Sequence, residues 1–429
     1  MHKALMGKVK DGEFFCIDKP NPNLQSHLGQ LATAVLRRHK DELWNLDIDY
    51  SLMYGKVFQP SNTYYEYLQL GQTNVTVYDN ADEIPFHTRL GSLSRVNSET
   101  GSDPEIFVVN GKGDLMPAFT FLGKQSAVAA SKSHGNNTAY AYRDGFAAEI
   151  YVAKGSCHGY LIDRLRRGMR DVLANAILKD ETAKLTIDNT QIIPEKVMKE
   201  ASADDLAFGC SPSLNAYDDA AMIPTDPRAF PMRFAGGHVH LNMVNWLNKN
   251  KGKAPAVVQG CDLMAALPGV AMFASYDTPA RRQTYGRAGE YRLPQHGLEY
   301  RVLSNAWLAS PEIAHLVLML VRAGASIGGA GLANGILDAE RMREIINFCD
   351  VDGARKFVTQ NVEIYTKMIQ QQGGGYGDKH TKAFLEVINE GIEAALPKPR
   401  DIASNWHFNT EWVEHSNNSR ATWNALCLS

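Results

Sequence analysis

The 429-residue chain is short of several things. Its six cysteines, Cys16, Cys157, Cys210, Cys261, Cys349 and Cys427, are scattered and form no Cys-x-x-Cys pair. This argues against a structural zinc site or a disulfide-stapled fold and fits a reducing cytoplasm, the expected location. Long apolar runs are missing too. The most apolar stretch, HLVLMLV at 315–321, is followed at once by Arg322. That is too short to span a bilayer and predicts a buried helix, so no membrane partner is expected. The opening MHKALMGKVKDGEFF lacks the apolar core of a signal peptide. No excess of positive charge exists: 44 Lys and Arg face 47 Asp and Glu, a net charge of −3. No global field draws the chain to nucleic acid, which is not an expected partner. Repeats and low-complexity tracts are absent. The glycine run at 373–375 has no Gly-Lys-Ser/Thr ending and no strand before it, so it reads as a helix connector rather than a phosphate loop.

What is present is ordinary globular material. A hydrophobic share of 44% against 21% charged residues is enough for a sizeable core. We expect an N-terminal extension of mixed α and β over 1–95, a main domain over 96–400 and a tail over 401–429. Leu28, Leu31, Val35 and Leu36 predict a helix over 27–46, and 63–70 and 74–80 suit strands. PEIFVV and LMPAF flank the turn NGKGD as two strands, and FAAEIYVA at 146–153 is another. After Ser156 as a cap, Leu161, Leu165, Met169, Val172 and Ala176 line one helix face, with Arg164, Arg166, Arg167 and Arg170 read as its solvated side. Strands are expected at 237–246 and 298–305. Helices are expected at 258–276, with Pro268 kinking or ending it, at 310–324, opened by Ser310 and Pro311, and across 338–396. The class is α+β.

Four strand-like segments carry polar pairs. Side chains at i and i+2 of a strand share a face. Asp103 and Glu105 share one in GSDPEIF; Glu149 sits in an otherwise apolar run after Asp144; His238 and His240 share one in GGHVHLN; Glu299 and Arg301 share one in GLEYRVLSN. Each has a bland alternative. Asp103 can cap a turn at Pro104, Glu149 can face solvent, the imidazoles can be satisfied by ordinary hydrogen bonds, and Glu299 with Arg301 can form an ion pair. Together they predict a charged concavity whose members must be paired or bound to metal. Carboxylates plus one imidazole suit Mg²⁺ or Mn²⁺. Arg281, Arg282, Arg287, Arg292 and Arg301 add guanidinium forks that match phosphate oxygens. Metal-binding acids beside arginines are what phosphoryl transfer from a nucleotide requires.

In this order GSDPEIF, RDGFAAEI, FGCSPSLNAY (208–217), AGGHVHLN, RRQTYGRAGEYR and GLEYRVLSN resemble the glutamine synthetase-like carboxylate–amine ligases. More narrowly, the chain is similar to the phage-encoded COOH–NH2 ligases called amidoligase type 2, over about 100–325. The resemblance implies a glutamine synthetase-like curved antiparallel sheet with helices packed on its outer face. It implies a funnel for ATP, Mg²⁺ (or Mn²⁺), and carboxylate and amine substrates, with a peptide or protein among the candidates. By resemblance, Glu105, Glu149 and Glu299 are metal carboxylates, Asp103 and Asp144 their helpers, and His238 the imidazole ligand. His240 contacts nucleotide phosphate or substrate, and Arg301 faces the transferred phosphoryl group. Arg281, Arg282 and Arg292 are further phosphate or carboxylate contacts. Glu299, Arg292 and Arg301 are then the catalytic set, and Gly236 and Gly237 would let backbone approach phosphate. The resemblance also implies a phage source, hence host cytoplasm, and leaves homo-oligomerisation open.

Some features depart from that pattern. Glutamine synthetase has Glu-x-Glu where this chain has Asp103-Pro104-Glu105, nothing in 1–95 identifies its small N-terminal domain, and its ammonium-binding features are not evident. The expected activity is ATP-dependent amide formation through an acyl phosphate, releasing ADP and phosphate. Two other readings compete: a metal-dependent phosphohydrolase, and a non-catalytic structural or assembly protein that keeps the fold.

Overall fold

A computed structural model describes residues 99–124, 139–155, 158–207, 213–218, 226–295, 297–373 and 377–408, with five strand segments before them. The helix expected over 27–46 (all but its last residue), the strand at 63–70, Ser156, residues 208–212 and 374–376, and the tail beyond 408 lie outside the described residues. The five early strands are β1 (Leu5–Val9), β2 (Phe14–Asp18), β3 (Leu46–Ile48), β4 (Lys56–Phe58) and β5 (Asn74–Tyr78). They form one antiparallel sheet in the order β4-β3-β1-β2-β5.

A ten-stranded sheet carries the polar pairs. Its strands are β6 (Glu99–Ser102), β7 (Glu105–Val109), β8 (Leu115–Met116), β9 (Ala139–Asp144), β10 (Ala147–Gly155), β11 (Lys184–Thr186), β13 (Leu214–Asn215), β15 (Val239–Asn242), β16 (Glu290–Arg292) and β17 (Leu298–Tyr300). The order is β11-β7-β10-β6-β15-β17-β16-β13, with β8 beside β7 and β9 beside β10, and every pairing is antiparallel. A separate pair joins β12 (Thr190–Ile192) to β14 (Met232–Phe234). The turn at NGKGD forms as expected. Asn110 Oδ1 accepts the backbone N–H groups of Lys112 and Asp114, both at 2.9 Å.

The helices back this sheet. Helix α1 (His158–Ile177) buries Leu161, Leu165, Met169, Val172 and Ala176 and packs against β9 and β10. One of its arginines is not solvated. Buried Arg166 donates from Nε to Trp406 O at 2.8 Å and from Nη2 to His407 O at 2.6 Å, clamping the C-terminal segment.

Helix α2 (Ala254–Cys261) does not stop before Pro268. It passes through a π-helical turn, Asp262–Ala266, into α3 (Leu267–Met272). There the Leu267 N–H reaches back to Asp262 O. The wider turn accommodates the missing proline N–H, so the chain stays helical through Pro268, where a kink or an end was expected. After α4 (Pro279–Thr284), helix α5 (Pro311–Gly329) opens as expected, with Ser310 Oγ accepting the Ile313 N–H. It runs five residues past the expected end at 324. Four more helices, Ala339–Asn347, Val351–Gln360, Val362–Gly373 and Gly377–Glu390, fill most of 338–396.

Helices α2 and α5 cross backbone to backbone at Gly260, Gly324 and Gly328. A Cβ on Gly324 would lie 2.6 Å from Cys261 Cα, and one on Gly328 2.7 Å from Val257 Cα. Ala254–Met272 and Pro311–Gly329 are each long and apolar enough to cross a membrane, yet most of each lies buried inside this fold.

Two expected strands are shorter than their apolar patterns. The one at 237–246 ends at Asn242 and gives way to a helix, Val244–Lys249. The one at 298–305 ends at Tyr300 and is followed by a 3₁₀ turn, Asn305–Ala309.

Candidate metal and phosphate site

Sheet register builds the site. His240 lies opposite Glu299 on one side and Gly101 on the other, and Arg292 lies opposite Glu299. Paired residues share a face, so Gly101, His240, Glu299 and Arg292 form one row across β6, β15, β17 and β16. Two positions along each chain come Asp103, His238 and Arg301. The intervening residues, Val239 and Tyr300, point into the core and are fully buried.

On this face His240 Nε2 lies 2.8 Å from Asp103 Oδ1. His238 Nδ1 lies 3.5 Å from the same oxygen and 3.8 Å from Glu299 Oε1. Asp103, His238 and Glu299 each offer a ligand atom, all within 4.8 Å of one another. Arg301 donates to Glu299, and Arg292 Nη1 stands 3.9 Å from Glu299 Oε1.

The second half of the acid set lies beside it. Glu149 is opposite Glu105 on β7 and opposite Tyr142 on β9, whose hydroxyl donates to it. Asp144 ends β9.

Electrostatics divide these acids. Burial opposes the charge on Asp103, but His240 and His238 outweigh it and hold this carboxyl far below its usual range. Burial likewise opposes charge on Glu299, and His238 and Arg301 overcome it. His240 is raised, because Asp103 and Glu299 outweigh its own burial. Asp144 is pushed up to about 7 by burial and then by Glu105. Glu149 is pushed well above the carboxylate range by burial and then by Asp103, Asp144 and Glu105. Two of the acids thus favour the charged form and two the protonated one.

The remaining expected residues go elsewhere. Arg281 and Arg282 are completely buried and do not reach the polar face. Arg282 holds Asp277 Oδ2 at 2.5 Å and donates to Gly286 O and Val302 O. Arg281 donates to Asp277 Oδ1 at 3.3 Å and Leu303 O at 3.0 Å. Contact with phosphate or a substrate carboxylate was expected of both; here they donate to Asp277, to Gly286 O and to the chain that follows β17. The glycines also have a local reason. A Cβ on Gly236 would collide with the His238 ring and with Tyr285 Oη, and one on Gly237 with the Trp307 indole and Ser304. Close packing within the protein, rather than approach to phosphate, requires glycine there.

Sequence reasoning passed over Tyr285. Its hydroxyl lies 2.7 Å from His238 Nε2 and 3.0 Å from Glu105 Oε1. The one signal was an aromatic residue inside the arginine-rich segment, just before a glycine that takes a φ of +72°. Tyr142, the partner of Glu149, was missed for the same reason: an aromatic residue in a strand reads as core.

No curated protein matches the chain. Residues 227–407, which hold His238, His240, Tyr285, Arg292, Glu299 and Arg301 but not Asp103, Glu105, Asp144 or Glu149, match the family model described as phage phiEco32-like COOH–NH2 ligase-type 2, and in that segment the chain is similar to carboxylate–amine ligases.

Proposed function

We propose that the protein is an ATP-dependent carboxylate–amine ligase on a glutamine synthetase-like fold, forming an amide through an acyl phosphate. The observation that carries this reading is the convergence of Asp103, His238 and Glu299 on one sheet face with Arg301 held against Glu299. The family match over 227–407 supports the carboxylate–amine part of it.

The donor set fits a divalent ion. His238 Nδ1 lies 3.5 Å from Asp103 Oδ1 and 3.8 Å from Glu299 Oε1, and all three ligand atoms lie within 4.8 Å of one another, close enough to share one ion after a small inward shift. Asp103, His238 and Glu299 would hold Mg²⁺ or Mn²⁺, which when bound supplies charge neutralisation at phosphate oxygens. His240, beside Asp103, presents an imidazole to phosphate or substrate. Arg292 and Arg301 supply guanidinium donors where charge builds on the transferred phosphoryl group. In balance, a substrate carboxylate oxygen bonds to the γ-phosphorus of ATP and ADP leaves. The amine nitrogen then bonds to the acyl carbon, phosphate leaves, and the surplus amine proton passes to a base. Asp144, pushed up to about 7 by burial and then by Glu105, lies on the same side of the sheet and is poised near neutrality to take that proton.

The test is thermal unfolding of wild type and His238→Ala with and without ATP and Mg²⁺, followed by ADP release with carboxylate and amine pairs. A ligand at about 100 times its Kd stabilises by about 2.7 kcal/mol. We expect a metal-dependent shift in wild type that the variant loses, and ADP release that requires an amine. No shift in folded wild type over a wide ATP range overturns the nucleotide site. ADP release that is unaffected by amine overturns the ligase in favour of a phosphohydrolase.

A further inference from the structure

We propose that Tyr285 is a positioning residue that fixes which nitrogen of His238 faces Asp103 and Glu299, with Glu105 as the terminal acceptor of the relay. The inference rests on the metal-centre reading above and assigns a new role within it.

A phenol has one proton to give and two lone pairs. The Tyr285 oxygen meets Glu105 Oε1 at 3.0 Å, His238 Nε2 at 2.7 Å and Arg301 Nη2 at 3.4 Å. Glu105 is an acceptor, and its other oxygen already takes the Gly236 N–H at 2.6 Å. Arg301 can only donate. The phenol proton therefore goes to Glu105, and the phenol oxygen accepts from Arg301 and from His238. That places the hydrogen of neutral His238 on Nε2. Nδ1 keeps its lone pair, 3.5 Å from Asp103 Oδ1 and 3.8 Å from Glu299 Oε1. Beside the contacts that Asp103 Oδ1 makes with His240 and Glu299 Oε1 with Arg301, this leaves an imidazole lone pair facing two carboxylate oxygens, a set that suits a divalent ion. The relay prepares that arrangement, as a ring N–H donated outward does for a metal-bound histidine.

The surroundings hold Tyr285 in this place. Gly286 turns the chain at φ +72° directly after it. The guanidinium groups of Arg281 and Arg301 lie 5.5 and 5.6 Å from its ring centre. Gly236 leaves the space in which its hydroxyl meets the His238 ring. Arg281, buried and turned from the polar face, thereby acts on the site through Tyr285. Glu105, with both oxygens engaged, braces the imidazole instead of joining Asp103, His238 and Glu299 around the ion.

The experiment is Mn²⁺ titration of the full chain by electron paramagnetic resonance without nucleotide, for wild type, Tyr285→Phe and His238→Ala. We expect Tyr285→Phe to weaken Mn²⁺ binding by about 10–100-fold, with its unfolding temperature in EDTA close to that of wild type. His238→Ala should abolish binding. In parallel, ¹⁵N NMR of metal-free wild type at alkaline pH should show His238 as the Nε2–H tautomer, and Tyr285→Phe should mix the two tautomers. An Nδ1–H tautomer in wild type overturns the inference whatever the variants do. Unchanged Mn²⁺ affinity in folded Tyr285→Phe, with binding still lost in His238→Ala, overturns the relay and leaves the metal centre standing. A wild type that binds no Mn²⁺ overturns both.

Discussion

The two sides of β17 treat buried acids in opposite ways. On the polar face Glu299 is held charged, because His238 and Arg301 overcome its burial. Behind the strand Tyr300 donates to Asp262 Oδ1 at 2.6 Å, and burial pushes that carboxyl up to about 7. Glu299 has cationic groups close around it, and Asp262, in the π-helical turn, has mainly the phenols of Tyr300 and Tyr217. A carboxylate in a low-dielectric interior either gains a counter-charge or keeps its proton. One short strand, through alternate residues, shows both solutions. The polar side holds its charge with counter-charges, and the rear side holds the strand through a hydrogen bond to a protonating carboxyl.

That contrast can be broken first from the front. Glu299→Ala should lower turnover by about a thousandfold or more, since several kcal/mol of transition-state stabilisation is involved and each 1.36 kcal/mol is tenfold. Near-normal turnover with the true substrates would remove Glu299 from the site. On the rear side, Gly324→Val should cost about 1–3 kcal/mol or more through overpacking against Cys261. It should lower the urea midpoint, and an unchanged midpoint would show that the crossing yields easily. Tyr300→Phe removes one hydrogen bond from Asp262 and should cost about 1–3 kcal/mol, measured in the same way.

The pH dependence sharpens the comparison further. The folded value of Asp262, about 7, lies above its ordinary 3.8. Its contribution is therefore fully present below about pH 4 and is lost as pH rises toward 7. Asp262→Asn should gain on wild type between about pH 4 and pH 7 in urea midpoint; a constant difference would show that Asp262 does not titrate in this window. The smallest effect is expected at His315 and His380, whose rings meet edge to face at 4.5 Å between α5 and Gly377–Glu390. Burial and then Lys379 lower His380 to about 4; burial and then His380 lower His315 well below its ordinary value. Their contribution is present above about pH 6.5 and is lost as pH falls toward 4. His380→Phe should flatten the acid limb of the midpoint profile, and an unaltered limb would exclude this pair as its source.

Much of the front side was legible in the sequence, because period-two spacing fixes which residues share a strand face. His238 with His240 and Glu299 with Arg301 follow from that rule alone. Register supplied what spacing lacked: His240 opposite Glu299 is a tertiary fact that no local pattern contains. Arg281, Arg282 and Arg166 were misplaced for one reason. Arginine is read as exposed or ligand-facing, whereas Arg166 is buried on carbonyls some 240 residues away and Arg281 and Arg282 are turned inward onto Asp277 and nearby carbonyls. Tyr285 and Tyr142 went unassigned because aromatic residues serve cores and sites alike. Pro268 read as a kink or an end of the helix, and the chain passes it through a π-helical turn. The helices opened by Ser310 or lined by the Leu161–Ala176 stripe were readable because cap and stripe are local signals.

The glycine crossing of α2 and α5 has a consequence during synthesis. Chain emerges from the ribosome at about 5–20 residues per second. The apolar stretch Ala254–Met272 is therefore complete several seconds, in order of magnitude, before the chain through Gly329 that covers it. For that interval the nascent protein displays a helix greasy enough to engage lipid or aggregate, and its shelter is a glycine-notched partner still to be translated. A chain cut between the two would keep that surface uncovered.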